Sequence, residues 1–456
     1  MMPALSDITA WIESRKKEII SDLFGLVRIP SVSDPGSPVK PFGPACRDTL
    51  EQMYIFASRD GYASRDYAHT VGQVCFSENP GAPSVGVWCH LDVVPAPDPE
   101  HWVFPPFQGT LVEDRYLIGR GVQDNKMPAA AVLHVMNCLK QLGWKPKKSW
   151  SLYLGTSEEN GMDDVRWFAR HYPCPDLSLV PDTGFPVCVA QRGCQILRYS
   201  SPLPLPEGET LSFRCDTNVS VTPREVAACF SSGLALKASG HGYHVFKADD
   251  DNAVLHMLDK LAVACPSSAH ALRSLARLLS SEEAMGIAFR DEGSGPLKAR
   301  PTQIDWEHGN LTADVYGVLP VSCDPDKTLE KAQAAAREHG IECRRVSVRP
   351  PCFFRRDHPL VRVLTEVYRG VTGDPAEPFI MTGGNYAALL PNALGFGPGM
   401  PGREFPAHIF PQGHGDYHQC DESEDWEHIV KFMQVYAMAV LKLDSLDDRA
   451  FFGPEA

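Results

Sequence analysis

Three apolar, strand-like runs in this chain each lead into a side chain that binds metals, and that repetition constrains the fold more than any other feature. Val85-Gly-Val-Trp-Cys89 leads into His90-Leu-Asp92, Ser151-Leu-Tyr-Leu-Gly-Thr156 into Glu158-Glu159, and Leu177-Ser-Leu-Val-Pro181 into Asp182. Short apolar runs of this kind are buried strands. In open α/β sheets ligands bind outside the carboxyl ends of the strands, so one sheet would bring these groups to one edge. Asp124, in the glycine-loosened turn Gly119-Arg-Gly-Val-Gln-Asp-Asn-Lys126, and His418, in Gly415-Asp-Tyr-His-Gln-Cys-Asp-Glu422, extend the series.

Strand-like and helix-like stretches alternate to about residue 190, which predicts an α/β domain with a mixed, mostly parallel sheet flanked by helices. Helices are expected over 5–28, 46–60 and 126–140, and strands around 72–76 and 85–91. Near residue 200 the stretch Ser-Ser-Pro-Leu-Pro-Leu-Pro marks a break. The following region carries strand candidates at 210–215 and 311–318 and helix candidates at 223–238, 251–264, 268–280 and 327–339, the content of an α+β unit. A second break, Arg349-Pro-Pro-Cys, precedes a helix at 358–370. Candidate ligands lie on both sides of this unit, so it reads as an insertion, and 456 residues suit two domains.

A formal charge of -14 argues against nucleic acid or an anionic membrane as partner. No apolar run approaches the ~18–20 residues of a membrane span, and the first residues lack a basic region followed by an apolar one. The fourteen cysteines include no CxxC pair and read as reduced, mostly buried side chains. A cytoplasmic protein is expected.

Each candidate ligand has an ordinary reading when taken alone. Asp124 suits a helix N-cap, Glu158-Glu159 a solvated acidic turn, and Asp182 a loop cap; His408 and His414 rival His418. Together they form two histidines and three carboxylates, with Glu158 and Asp92 beside them, a set able to hold two metals about 3.5–4 Å apart. Adjacent carboxylates are costly without a cation, and one of such a pair can act as general base while the other binds metal.

At this point the chain resembles the dinuclear metallopeptidase family of aminoacylases, carnosinases, succinyl-diaminopimelate desuccinylase and bacterial dipeptidases. The likeness runs nearly end to end, through Leu26-Val-Arg-Ile-Pro-Ser-Val-Ser33, His90-Leu-Asp-Val-Val-Pro95, the Gly119–Lys126 turn, Gly155-Thr-Ser-Glu-Glu159, Pro181-Asp182, Thr382-Gly-Gly-Asn385 and His418-Gln419. The resemblance implies that Asp124 bridges two metals, with His90 and Asp182 completing one site and Glu159 and His418 the other. Glu158 would be the general base and Asp92 the orienter of His90. It further implies a cis Asp124–Asn125 peptide, a catalytic domain of residues 1–194 and 350–456, and a lid of 195–349 that is larger than the family's compact form, similar to the monomeric bacterial dipeptidase branch.

His241, with His244 as rival, matches the lid histidine that polarises the scissile carbonyl. Asn218, Gly383, Gly384 and Asn385 match substrate-contacting positions. Where the family carries an arginine that clamps a substrate carboxylate, this chain has Val318; Arg192, Arg355 and Arg356 are the candidate substitutes.

The expected protein is a monomeric dipeptidase acting on small peptides through two divalent ions. Zinc is the default for mixed His and carboxylate ligands, with manganese or cobalt as alternatives. An N-acyl-amino-acid deacylase or desuccinylase is the alternative enzyme, and a non-catalytic binding protein the alternative of another class.

Overall fold

The computed structural model describes residues 2–96, 99–216 and 219–448. The chain divides into two compact units, one of Met1–Val189, Phe354–Phe379 and Asn385–Ala456, the other of Ala190–Phe353 and Ile380–Gly384.

The first unit is built on a mixed sheet whose strands lie in the order Ala63–Tyr67, Val71–Ser77, Ser149–Gly155, Ser84–His90, Leu177–Val180, Ala393–Gly395 and Cys188–Gln191. The four strands from Ser149–Gly155 to Ala393–Gly395 pair in parallel, and pairing becomes antiparallel on both sides. The central strands are buried on both faces, which is why they read as continuous apolar runs without alternation. Parallel register sets their carboxyl ends at one edge, with His90 opposite Gly155.

Helix Lys126–Gln141 is buried from Lys126 through Leu139 and packs against helix Trp426–Ser445 and the Ser84–His90 strand, so it is mostly apolar, and its buried polar members have partners, Lys126 at the Leu26 carbonyl, His134 at Asp22 and Asn137 at Asp60. Truncating Leu133, 1% exposed, to Ala would cost about 2–5 kcal/mol through lost transfer energy and the cavity left behind. The opening helix is two helices, Leu5–Ser14 and Lys16–Val27. No apolar residue lies between Ile12 and Ile19, so nothing anchors a continuous buried stripe across Arg15.

The second unit carries an antiparallel sheet in the order Lys298–Glu307, Asn310–Leu319, Gly193–Pro202 and Glu342–Arg349. Burial alternates along Gly193–Pro202. The sheet shares its core with helices Ala253–Ala264, Ala269–Leu278 and Pro325–Glu338. The helix expected over 223–238 is instead a hairpin of Glu225–Phe230 and Ala235–Ser239. Val226, Ala228 and Phe230 are buried at period two, and the intervening turn needs Gly233 at φ +95°, a conformation that ends a helix.

Candidate metal centre

His90 closes its strand and is 1% exposed. Its Nδ1 lies 2.9 Å from the Asp92 carbonyl oxygen and 3.5 Å from Asp92 Oδ1, an outer acceptor that leaves Nε2 as the ligand atom. That Nε2 lies 3.0 Å from Asp124 Oδ1 and 4.0 Å from Asp182 Oδ1. The other Asp124 oxygen lies 3.1 Å from His418 Nε2, which also contacts Glu159 Oε1 at 2.9 Å. Asp124 therefore faces a histidine with each carboxylate oxygen. It does not cap the following helix, whose N-cap residue is Asn125, and the Asp124–Asn125 peptide is cis.

Backbone hydrogen bonds fix these groups. The Asp92 carboxylate, fully buried, accepts the Glu158 and Glu159 N–H groups at 3.0 Å each. Asn125 donates from its side chain to the Pro181 carbonyl and Asn385 to the Asp182 carbonyl, both at 2.6 Å; Asn385 thus holds the Asp182 loop. His414 pairs with Asp421 at 2.5 Å and His408 with Glu113 at 3.0 Å, so the rival histidines have other partners.

Two supporting acids escape sequence reasoning. Glu422 is fully buried, and its Oε1 accepts N–H groups from Gly121, Gln123 and Asp124 at 3.1, 2.9 and 3.0 Å, while Oε2 pairs with Arg120 at 2.6 Å. Asp164 accepts the Thr156 and Ser157 N–H groups at 2.6 and 2.7 Å and the Tyr386 hydroxyl, and burial pushes its carboxyl up to about 6. Both sit in polar stretches, and only tertiary contacts distinguish them from surface acids.

The electrostatics call for cations. Burial, then the neighbouring carboxylates, raise Glu158 and Asp182 well above the ordinary range, and Glu159 is raised for the same reasons. Burial opposes it, but His418 and His90 hold Asp124 low. Against its own burial, His418 is pushed up to about 10 by Asp124 and Glu159. Carboxylates this close ionise together only when positive charge compensates them. His90, Asp124 and Asp182 form one group of ligand atoms and Asp124, Glu159 and His418 a second, each within 4.8 Å. The donor set fits divalent ions with Asp124 shared.

The second unit contains a cleft of about 520 Å³ lined by His244, Lys247, Tyr316, Val318, Arg349 and the Gly383–Gly384 pair, among others. Among the described residues Arg349 Nη1 is buried without a hydrogen-bond partner. Its guanidinium lies against Gly384, where any Cβ would overlap it. The other candidate arginines have partners: Arg192 donates to the Ser294, Pro296 and Val318 carbonyls, Arg355 pairs with Asp357 at 3.0 Å, and Arg356 donates to the Pro378 carbonyl.

His244 Nδ1 accepts the Phe246 N–H at 3.2 Å, which leaves Nε2 as the protonated, donating nitrogen. Partial burial, then the Lys247 ammonium, lower its pKa. His241 is 53% exposed, its ring 2.9 Å from Asp249 and 3.4 Å from Asp251, and it is not among the residues lining the cleft. Asn218 lies outside the described residues.

A carboxylate shared between two histidine-bearing ligand groups, with a carboxylate pair beside it, is the site of a metal-dependent hydrolase. The chain belongs to peptidase family M20/M25/M40, whose model matches residues 87–442. It is similar to the Beta-Ala-Xaa dipeptidase of Lactobacillus delbrueckii subsp. lactis, at 28% identity over 84% of this chain and 89% of that protein. In fold it matches the di-peptidase Dug1p from Saccharomyces cerevisiae, with TM-score 0.63, 15% identity and 98% and 100% of the two chains covered. Human carnosine dipeptidase 1 matches with TM-score 0.62, 14% identity and the same coverage. Among the described residues no helix is long and apolar enough to cross a membrane.

Proposed function

We propose that this peptidase hydrolyses dipeptides with two divalent ions, zinc by default, held by His90, Asp124 and Asp182 and by Asp124, Glu159 and His418. The observation that carries the reading is Asp124, its two oxygens 3.0 and 3.1 Å from His90 and His418. When bound, the cations supply Lewis acidity, which polarises the scissile carbonyl and makes a water a competent nucleophile near neutral pH.

Glu158 takes the proton from the attacking water and passes it to the leaving amine. Asp92 sets the position of Glu158 and Glu159 through its two backbone hydrogen bonds. In the lid unit, the proposed substrate contacts are His244 and Arg349. His244 donates from Nε2 to the oxygen that gains charge, and this reading favours it over His241, whose ring is engaged by Asp249. Arg349 holds the substrate α-carboxylate in place of the arginine absent at position 318, since a planar guanidinium with free donors suits a carboxylate. Thr382-Gly-Gly384 leaves room for that guanidinium.

The dipeptidase named among the relatives at 28% identity supports dipeptides over N-acyl amino acids. Fourteen free cysteines among the described residues support a reducing, cytoplasmic location, and we read the active form as a monomer. A panel of dipeptides, N-acetyl-amino acids and N-succinyl-amino acids, run on metal-stripped enzyme reloaded with zinc, manganese or cobalt, tests the assignment. Dipeptide turnover that chelator abolishes and metal restores is expected; preferential turnover of N-acyl substrates would reassign the enzyme as a deacylase.

A further inference from the structure

We propose that the lid cleft selects substrates with an acidic C-terminal residue, Arg349 taking the α-carboxylate and Lys247 the side-chain carboxylate. The inference rests on the peptidase reading above and adds to it the substrate class.

Three basic side chains, His244, Lys247 and Arg349, line the cleft, and among the described residues no aspartate or glutamate lines it. The acids that follow Lys247 in sequence are engaged elsewhere. Asp249 lies 2.9 Å from His241, Asp250 2.9 Å from Arg300, and Asp251 3.4 and 3.6 Å from His241 and His256. Among the described residues Lys247 has no ion pair, and Arg349 Nη1 is buried without a partner.

The Arg349 guanidinium lines the cleft and pairs with no acid among the described residues, and a planar guanidinium suits a carboxylate, so one carboxylate belongs at Arg349. Exposed Lys247 attracts the side-chain carboxylate of an aspartate or glutamate, an attraction that a neutral C-terminal residue lacks. The remaining walls suit the methylene carbons of such a side chain: Phe246, Tyr316 and Val318 are apolar, and Arg192 stacks over Phe246 at 4.7 Å, steadying that wall.

The test compares kcat/KM for Ala-Glu and the isosteric Ala-Gln on the metal-loaded, full-length enzyme. A solvent-accessible lysine–carboxylate pair supports a Glu/Gln ratio of about fivefold at low salt, falling as salt screens the charges. Lys247→Gln should bring the ratio to about one, and Lys247→Glu should invert it. A wild-type ratio at or below one, or a ratio that Lys247→Glu leaves unchanged, overturns the proposal while leaving the dipeptidase reading intact. If only N-acetyl-Glu and N-acetyl-Gln are turned over, the dipeptide assignment fails and the same ratio is read on that pair. Turnover of none of these compounds overturns the peptidase reading and the acidic preference together.

Discussion

The Glu422 carboxylate accepts the backbone N–H of Asp124 at 3.0 Å, so the residue proposed to bridge the metals is held by an acid four positions beyond the proposed ligand His418. With the Gly121 and Gln123 N–H groups on the same oxygen and Arg120 on the other, Glu422 fixes the whole turn. Glu422→Gln is expected to weaken metal affinity about 10–100-fold, the usual cost of losing an outer partner of a ligand. Titrating metal-free protein with zinc against a competing chelator measures this. Unchanged affinity with a lower Tm would make Glu422 a purely structural buried charge.

Removing His244 should affect catalysis without affecting metal. His244→Ala is expected to lower kcat about 10²–10³-fold, the range for loss of one oxyanion donor, at unchanged metal content. His241→Ala should change kcat only a few-fold, since its ring is engaged by exposed Asp249. A large loss in His241→Ala with near-normal His244→Ala would return the role to His241.

Buried Asp22 accepts from Arg59 at 2.9 and 2.8 Å and contacts His134 Nε2 at 2.9 Å. Burial opposes ionisation, but His134 and Arg59 outweigh it and hold the carboxyl below the ordinary aspartate range. A depressed carboxylate contributes stability above its unfolded pKa and loses it as pH falls through the folded one. The contribution should therefore be complete at neutral pH and fade below about pH 4. Asp22→Asn should cost about 3 kcal/mol at pH 7 in denaturant unfolding, with the gap to wild type narrowing in acid. A gap independent of pH would mean that packing, not charge, is lost.

Three of the four parallel strands, Ser84–His90, Ser149–Gly155 and Leu177–Val180, were legible because burial on both faces makes each an unbroken apolar run that carries the chain directly into His90, Glu158 or Asp182, whereas the three-residue strand Ala393–Gly395 is too short to read. The Glu225–Ser239 hairpin was not, because its small and apolar residues satisfy helical spacing as well as alternation and only burial in the lid core decides between them. Glu422 and Asp164 look like surface acids in sequence; their roles depend on N–H groups brought to them by folding. Arg349 was hidden for the same reason: its free donor becomes visible only once Arg192, Arg355 and Arg356 are seen to have partners.

Metal content and kcat measured together in Glu158→Gln decide whether Glu158 is the base. The substitution keeps the size of the side chain and removes its basicity. The variant is expected to bind as many divalent ions as the wild type, two per chain under the proposed reading, with kcat lower by about 10²–10⁴-fold, the contribution of a positioned general base. A variant that loses metal, or one that retains both metal and most of its turnover, would contradict the assignment of Glu158 as the base.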